Sequence, residues 1–220
     1  MNFLQRDSFL TRVLSRLIDC MLLSILWLFT SIPVVTIGAS TTAAYSVALK
    51  LAAGEHPALV SGYFAAFKKN ILRSTAVFLA LTGTGLFIGL DLWCVLQWET
   101  PFQFALEVLI LSVGFFYLIL ATHAFPALAF YEGKPAQILK KVFFRSLSKG
   151  IYTVFVVVLS VFPPLFLARR AADSSFGQWL MLFLLVGNGA ICYFNSLHLV
   201  RLFDPERVEA AAGESVEDGE

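Results

Sequence analysis

At 220 residues, with 58% hydrophobic side chains, 14% charged residues and a mean hydropathy of +0.78, the chain carries more apolar surface than one small water-soluble core can bury. The formal net charge is only +1, which gives no basic footprint for nucleic acid. It hides an asymmetry, because residues 1–203 hold 15 Lys/Arg against 8 Asp/Glu while 204–220 hold one Arg against 7 acids.

In chain order, residues 1–16 form a short amphipathic lead with Arg6, Arg12 and Arg16, suited to a membrane surface. The apolar run 17–32 that follows is read as a retained first helix and not a cleaved leader, since further spans come after it. Pro33 interrupts it by removing a helix donor, and Gly38 follows five residues later. From Ala39 to Ala53 the composition turns to Ala, Ser and Thr. At ~1.5 Å per residue this second piece is short for a hydrocarbon core of ~30 Å. A loop with Lys68, Lys69 and Arg73 leads to a span at 74–98, a polar turn at 99–101 and a span at 102–131. A second basic loop holds Lys134, Lys140, Lys141, Arg145 and Lys149. Spans at 151–168 and 176–203 complete the set, joined by 169–175, and the acidic tail 204–220 is expected to be disordered.

The predicted fold is an all-α polytopic membrane helix bundle of six helices: five full spans plus one short helix returning after the Pro/Gly break. One integral membrane domain, 1–203, would consist of hairpins 17–53, 74–131 and 151–203. Lys and Arg are enriched in cytoplasmic loops. If 17–53 is a returning hairpin, 14 of the 16 basic residues fall on the cytoplasmic side, leaving Arg169 and Arg170 outside; a single crossing gives 11 against 5. The hairpin is preferred, with both termini cytoplasmic. The sequence KKxxxRS at Lys68–Ser74 recurs at Lys140–Ser146, an offset of 72 residues. Two helices separate the copies, so they would share an orientation, as in a parallel hairpin repeat. Chance combined with positive-inside bias is the alternative.

Ser31-Ile-Pro-Val-Val-Thr-Ile-Gly-Ala39, then Thr41, Thr42, Ala43, Ala44 and Tyr45, and further on Phe64 and Phe67-Lys-Lys-Asn70, resemble the YesL-like family of bacterial polytopic membrane proteins, a domain of unknown function. His123-Ala-Phe-Pro126 ahead of a basic loop also fits that family. Ser24 and Arg73 stand where many members are expected to carry amides. The resemblance extends over about residues 5 to 203. It implies a bacterial cytoplasmic membrane location and proximity to carbohydrate-uptake ABC transporters, with no established catalytic residues.

Candidate sites are polar groups that lipid makes costly unless paired or facing a cavity. Thr36, Ser40, Thr41 and Thr42 beside a broken helix could bind a polyhydroxylated or anionic solute, with Thr36 or Ser40 capping the helix start; close packing through small side chains is the alternative. His123 and Asn195 are related by the 72-residue offset, and His198 lies one turn on. The three could converge in a cavity or serve as helix-to-helix hydrogen bonds. Lys140, Lys141, Arg145 and Lys149, with 141, 145 and 149 on one helical face, could bind lipid headgroups or simply set topology. Cys20, Cys94 and Cys192 have no metal-ligand spacing, and no catalytic motif is present, so neither metal, cofactor nor enzymatic activity is expected. The expected function is an accessory or interaction component associated with carbohydrate uptake, with the bilayer and an ABC permease as partners. The alternative is a small-solute transporter. A cysteine placed at Gln5 should react with an impermeant thiol reagent only after the cells are opened; labelling from outside would refute the hairpin.

Overall fold

The computed structural model describes residues 9–97, 101–170 and 176–203, and among these the chain is helical with no strand. The first half of the amphipathic lead, the turn around Glu99, most of the connection 169–175 and the acidic tail 204–220 lie outside the described residues. The elements are α1 (Phe9–Thr30), a 3₁₀ turn (Val34–Thr36), α2 (Ile37–Ala52), α3 (Leu59–Val95), α4 (Gln103–Phe130), α5 (Pro135–Ser148), α6 (Gly150–Arg169), α7 (Phe176–Leu182), a π-helical segment (Phe183–Gly187) and α8 (Asn188–Phe203). Five stretches are long and apolar enough to cross a membrane: 34–52, 59–95, 103–130, 150–167 and 176–200.

α2 occupies the centre. Its most apolar stretch is 61% buried inside the protein, against 6–22% for the other four. Those helices instead turn Leu, Phe and Val side chains outward, as lipid-facing helices do. Composition explains the difference: Ala39, Ala43, Ala44 and Ala48 are wholly buried, and small residues let neighbouring backbones approach closely. Gly38 is the tightest case, since a Cβ there would lie 2.6 Å from both the Ser74 carbonyl and Phe78 Cβ. Gly38 therefore does not break the helix; it lies within α2 and admits α3. The break sits at residues 31–33 and the 3₁₀ turn, after which Trp27 of α1 and Thr41 of α2 meet. The chain thus doubles back there. α1, α3, α4 and α8 all pack on α2.

Two expected loops prove to be helical. Lys68, Lys69 and Arg73 lie inside α3, because Tyr63, Ala66, Asn70, Ser74 and Val77 recur at helical spacing and bury one face while the two lysines point outward. At 37 residues, α3 is ~55 Å long, well beyond a ~30 Å hydrocarbon core. The second basic segment forms α5, which buries Ile138, Val142 and Ser146 and leaves Lys140 and Lys141 exposed. The hairpin starts at 74 and 151 consequently fall inside or just after helices.

α1 and α8 approach each other closely at Gly189. The Gly189 N–H, just past the π-helical segment, donates to Ser24 Oγ at 2.8 Å. A Cβ on Gly189 would sit 2.0 Å from the Cys20 carbonyl oxygen, and a backbone atom cannot swing aside. Gly189→Ala should therefore lower stability by about 1–3 kcal/mol in detergent unfolding. Gly83→Ala, where nothing lies within 4 Å of the added methyl, should be neutral or slightly stabilising.

Candidate functional site

The hydroxyl-rich entry to α2 is wired to its neighbours. Thr36 Oγ1 lies 2.6 Å from the Thr30 carbonyl and 2.7 Å from that of Pro33. It ties the end of α1 to the turn and does not cap α2, contrary to expectation. Ser40 does not cap either; its hydroxyl donates to the Thr36 carbonyl at 3.0 Å. The preceding 3₁₀ turn takes over part of that task, with the Ile37 N–H bonded to the Val34 carbonyl. Thr41 Oγ1 donates to the Ile37 carbonyl at 2.8 Å and accepts from Trp27 Nε1 at 3.0 Å. Thr42, wholly buried, bonds the Gly38 carbonyl at 2.9 Å and Ser74 Oγ of α3 at 2.8 Å. The Tyr63 hydroxyl adds a further link, 2.6 Å from Thr30 Oγ1 and 3.2 Å from the Ser40 carbonyl. These contacts cross-link α1, α2 and α3.

A second buried node joins α2, α6 and α8. Asn195 is fully buried and uses both Nδ2 protons, toward the Tyr45 hydroxyl at 3.0 Å and Ser160 Oγ at 2.9 Å. Its Oδ1 has no partner. His123 is also buried; its Nδ1 donates to the Ile119 carbonyl of its own helix at 2.9 Å, and Nε2 is unpartnered. The His198 ring packs 4.4 Å from that of Phe155 and 6.2 Å from that of Tyr152. Among the described residues no hydrogen bond joins His123 to Asn195, while Asn195 and the His198 ring both reach α6 from α8. Tyr45 and Ser160, its partners, were not candidates from sequence; only the position of Tyr45 within the family-like motif marked it.

At the other end of α2 a cleft of about 460 Å³ opens between α2, α4 and α8, lined by Ser46, Lys50, Glu55, Ala129, Phe130 and Val200 among others. The carbonyl ends of α2 and α4 point to this region, which favours a cation, and Lys50 occupies the last turn of α2. The single charge in an otherwise uncharged helix was the legible signal. Nearby, Arg73 joins α3 to the end of α4. Its guanidinium reaches the carbonyls of Leu128 at 2.5 Å and Gly133 at 3.2 Å, and Asn70 Oδ1 at 2.8 Å. Lys69 pairs with Glu132, and that hydrogen bond and charge hold the exposed carboxyl below the usual carboxylate range.

The basic ladder divides. Lys140 and Lys141 are exposed on α5, with Lys141 Nζ 4.5 Å from the centre of the Tyr131 ring, and Arg145 is half-buried. Lys149 lies past the end of α5 at φ −117°, ψ 55°, so it does not continue the face of Lys141 and Arg145. The Lys149 N–H bonds the Ser146 carbonyl in a tightened last turn, which is why the register changes. Of the two α3 glycines spaced four apart at 85 and 89, Gly85 meets Tyr117, whose hydroxyl would be 2.5 Å from an added Cβ, while Gly89 faces open space.

A double-mutant cycle on Thr42→Ala and Ser74→Ala, read by thermal unfolding in detergent, should give a coupling of about 0.6 kcal/mol, the average for such bonds between membrane helices. Additive losses would mean that the two hydroxyls do not act as a pair.

Residues 20–92 match the family model described as a protein of unknown function, DUF624. The match begins in α1 and ends within α3, so it contains the whole hydroxyl-rich segment and the Arg73 region. No curated protein and no solved structure matches the chain. Residues 20–92 are thus similar to the DUF624 family of unknown function, consistent with the YesL-like family that their motif resembles.

Proposed function

We propose that this is an accessory or interaction component of the bacterial cytoplasmic membrane that works beside carbohydrate uptake, with an ABC permease as its partner. The observation that carries the interaction role is the use of the α2 hydroxyls. Thr36, Ser40, Thr41 and Thr42 each bond a group of α1, of α3 or of the helix itself. A segment holding a solute would keep such groups turned toward a cavity. The surfaces left for contact are the apolar outer faces of α3, α4 and α6 and the basic face of α5. The link to carbohydrate comes from the YesL-like resemblance and is a family-level analogy. The proposal contains no catalytic step.

The architecture proposed with it has six membrane helices, α1 and α2 forming the first hairpin and both termini cytoplasmic. Support for a parallel repeat comes from burial at the 72-residue offset. Ala66 and Ile138, Asn70 and Val142, Ser74 and Ser146, His123 and Asn195, Ala124 and Ser196, and Ala127 and Leu199 are buried in both copies. α4 and α8, the corresponding second helices, both pack on α2.

The second function, a small-solute transporter, is favoured by the cleft at Ser46, Lys50 and Glu55. Its volume falls within the usual range for small-molecule pockets and its lining mixes polar and apolar groups. Purification in mild detergent separates the two functions. Recovery of an ABC permease in stoichiometric amount is expected. A lone protein that carries labelled sugar into liposomes, with the transport lost on Lys50→Ala, would overturn the accessory role in favour of transport.

A further inference from the structure

We propose that α6 and α7 hold one two-chain anionic phospholipid, its acyl chains in two apolar clefts and its phosphate on Arg169 and Arg170. The clefts have volumes of about 410 and 400 Å³ and lie on either side of a shared ridge, Phe162 and Phe166. The two rings stack 6.2 Å apart with 26° between their planes. The first cleft runs along α6 from Val157 to Arg169; the second lies between α6 and the rod formed by α7 and the π-helical segment, with Trp179 on its wall.

Both helices depart from regular winding at this point. Pro163 and Pro164 stand inside α6, so the carbonyls of Leu159 and Ser160 lose their usual helix donors. Across from them the rod widens through Phe183–Gly187. Pro163 and Gly187 both line the second cleft. Irregularities in two facing helices, within a membrane, give a gap of fixed shape.

Charge selects the occupant. Among the described residues lining the two clefts Arg169 is the only charged side chain. Arg170 follows it with its guanidinium carbon 5.4 Å from the centre of the Phe166 ring, at the head of the ridge. Both arginines are exposed. Two guanidinium groups at the head of two apolar clefts that share a ridge match a phosphate ester joined to two hydrocarbon chains. They also match an anionic headgroup better than a zwitterionic one, whose ammonium opposes them. This is the end of the bundle away from the Lys50 cleft, and Arg169 and Arg170 are the two basic residues that charge counting leaves there.

Trp179 stands edge-on to Phe166 at 5.9 Å and makes the test direct. The full chain is reconstituted in vesicles of phosphatidylcholine containing brominated phosphatidylglycerol, or brominated phosphatidylcholine at the same fraction. The Trp179 signal is obtained by subtracting a Trp179→Phe variant. Stronger quenching by the brominated phosphatidylglycerol is expected, and Arg169→Gln with Arg170→Gln should reduce that preference by roughly five- to thirtyfold. Equal quenching by the two lipids, or a preference unchanged in the double variant, would overturn the proposal. If Trp179→Phe fails to fold, native mass spectrometry of the intact protein and the double arginine variant counts retained phosphatidylglycerol. Loss of one bound lipid supports the site; equal retention refutes it.

Discussion

The fold depends on one constraint, the burial of a helix of small residues among four others. α2 lies within contact of α1, α3, α4 and α8 because Gly38 and the alanines at 39, 43, 44 and 48 take up little space. In lipid the hydrophobic effect gives no reason for one apolar helix to prefer another over a tail, so close packing and interhelical hydrogen bonds must supply the association. α2 provides both. Its small side chains bring backbones together, and its hydroxyls, with those of Thr30, Tyr63 and Ser74, join the helices. The outward helices can then be generic in composition.

The turn ahead of α2 and the connection after α4 are built differently. At one, the turn at residues 31–36 is closed by Thr36 and has exposed Ile32, Val34 and Val35 around it. At the other, cations are tied to carbonyl-rich helix ends: Arg73 covers the end of α4, Lys69 meets Glu132, and Lys141 lies over Tyr131. A buried or half-buried arginine is tolerated because several carbonyls and an amide oxygen replace the water it gives up. The same residues that charge counting assigns to one side therefore also hold the connection between α4 and α5.

The helical class, the runs long and apolar enough to cross a membrane and the break around Pro33 were legible because each rests on local chemistry: run length, hydropathy and the missing proline donor. The lengths of α3 and α5 were not. Lysines at 68, 69, 140 and 141 suggested loops, since charge is the usual mark of a membrane boundary. A helix can continue past the hydrocarbon with its charged face turned outward, and the spacing of Tyr63, Ala66, Asn70 and Ser74 carried that information more faithfully than the charges did. Gly38 misled for a related reason. Glycine can end a helix or let one approach another, and the choice depends on what lies opposite, here the Ser74 carbonyl. The partners of Asn195 were equally hidden, because Tyr45 and Ser160 are 150 and 35 residues away in the chain.

The π-helical segment holds one residue more than an α turn needs, so taking one residue out of Phe183–Gly187 would restore ordinary winding and leave the rotational phase of α8 nearly unchanged. Asn195 would still face Tyr45 and Gly189 would still meet α1. A deletion between Gly189 and Asn195 has no such slack: it would turn everything beyond it by about 100° and carry Asn195 away from Tyr45. The span can therefore lose a residue at one place and not a turn further on, a difference that hydropathy does not register.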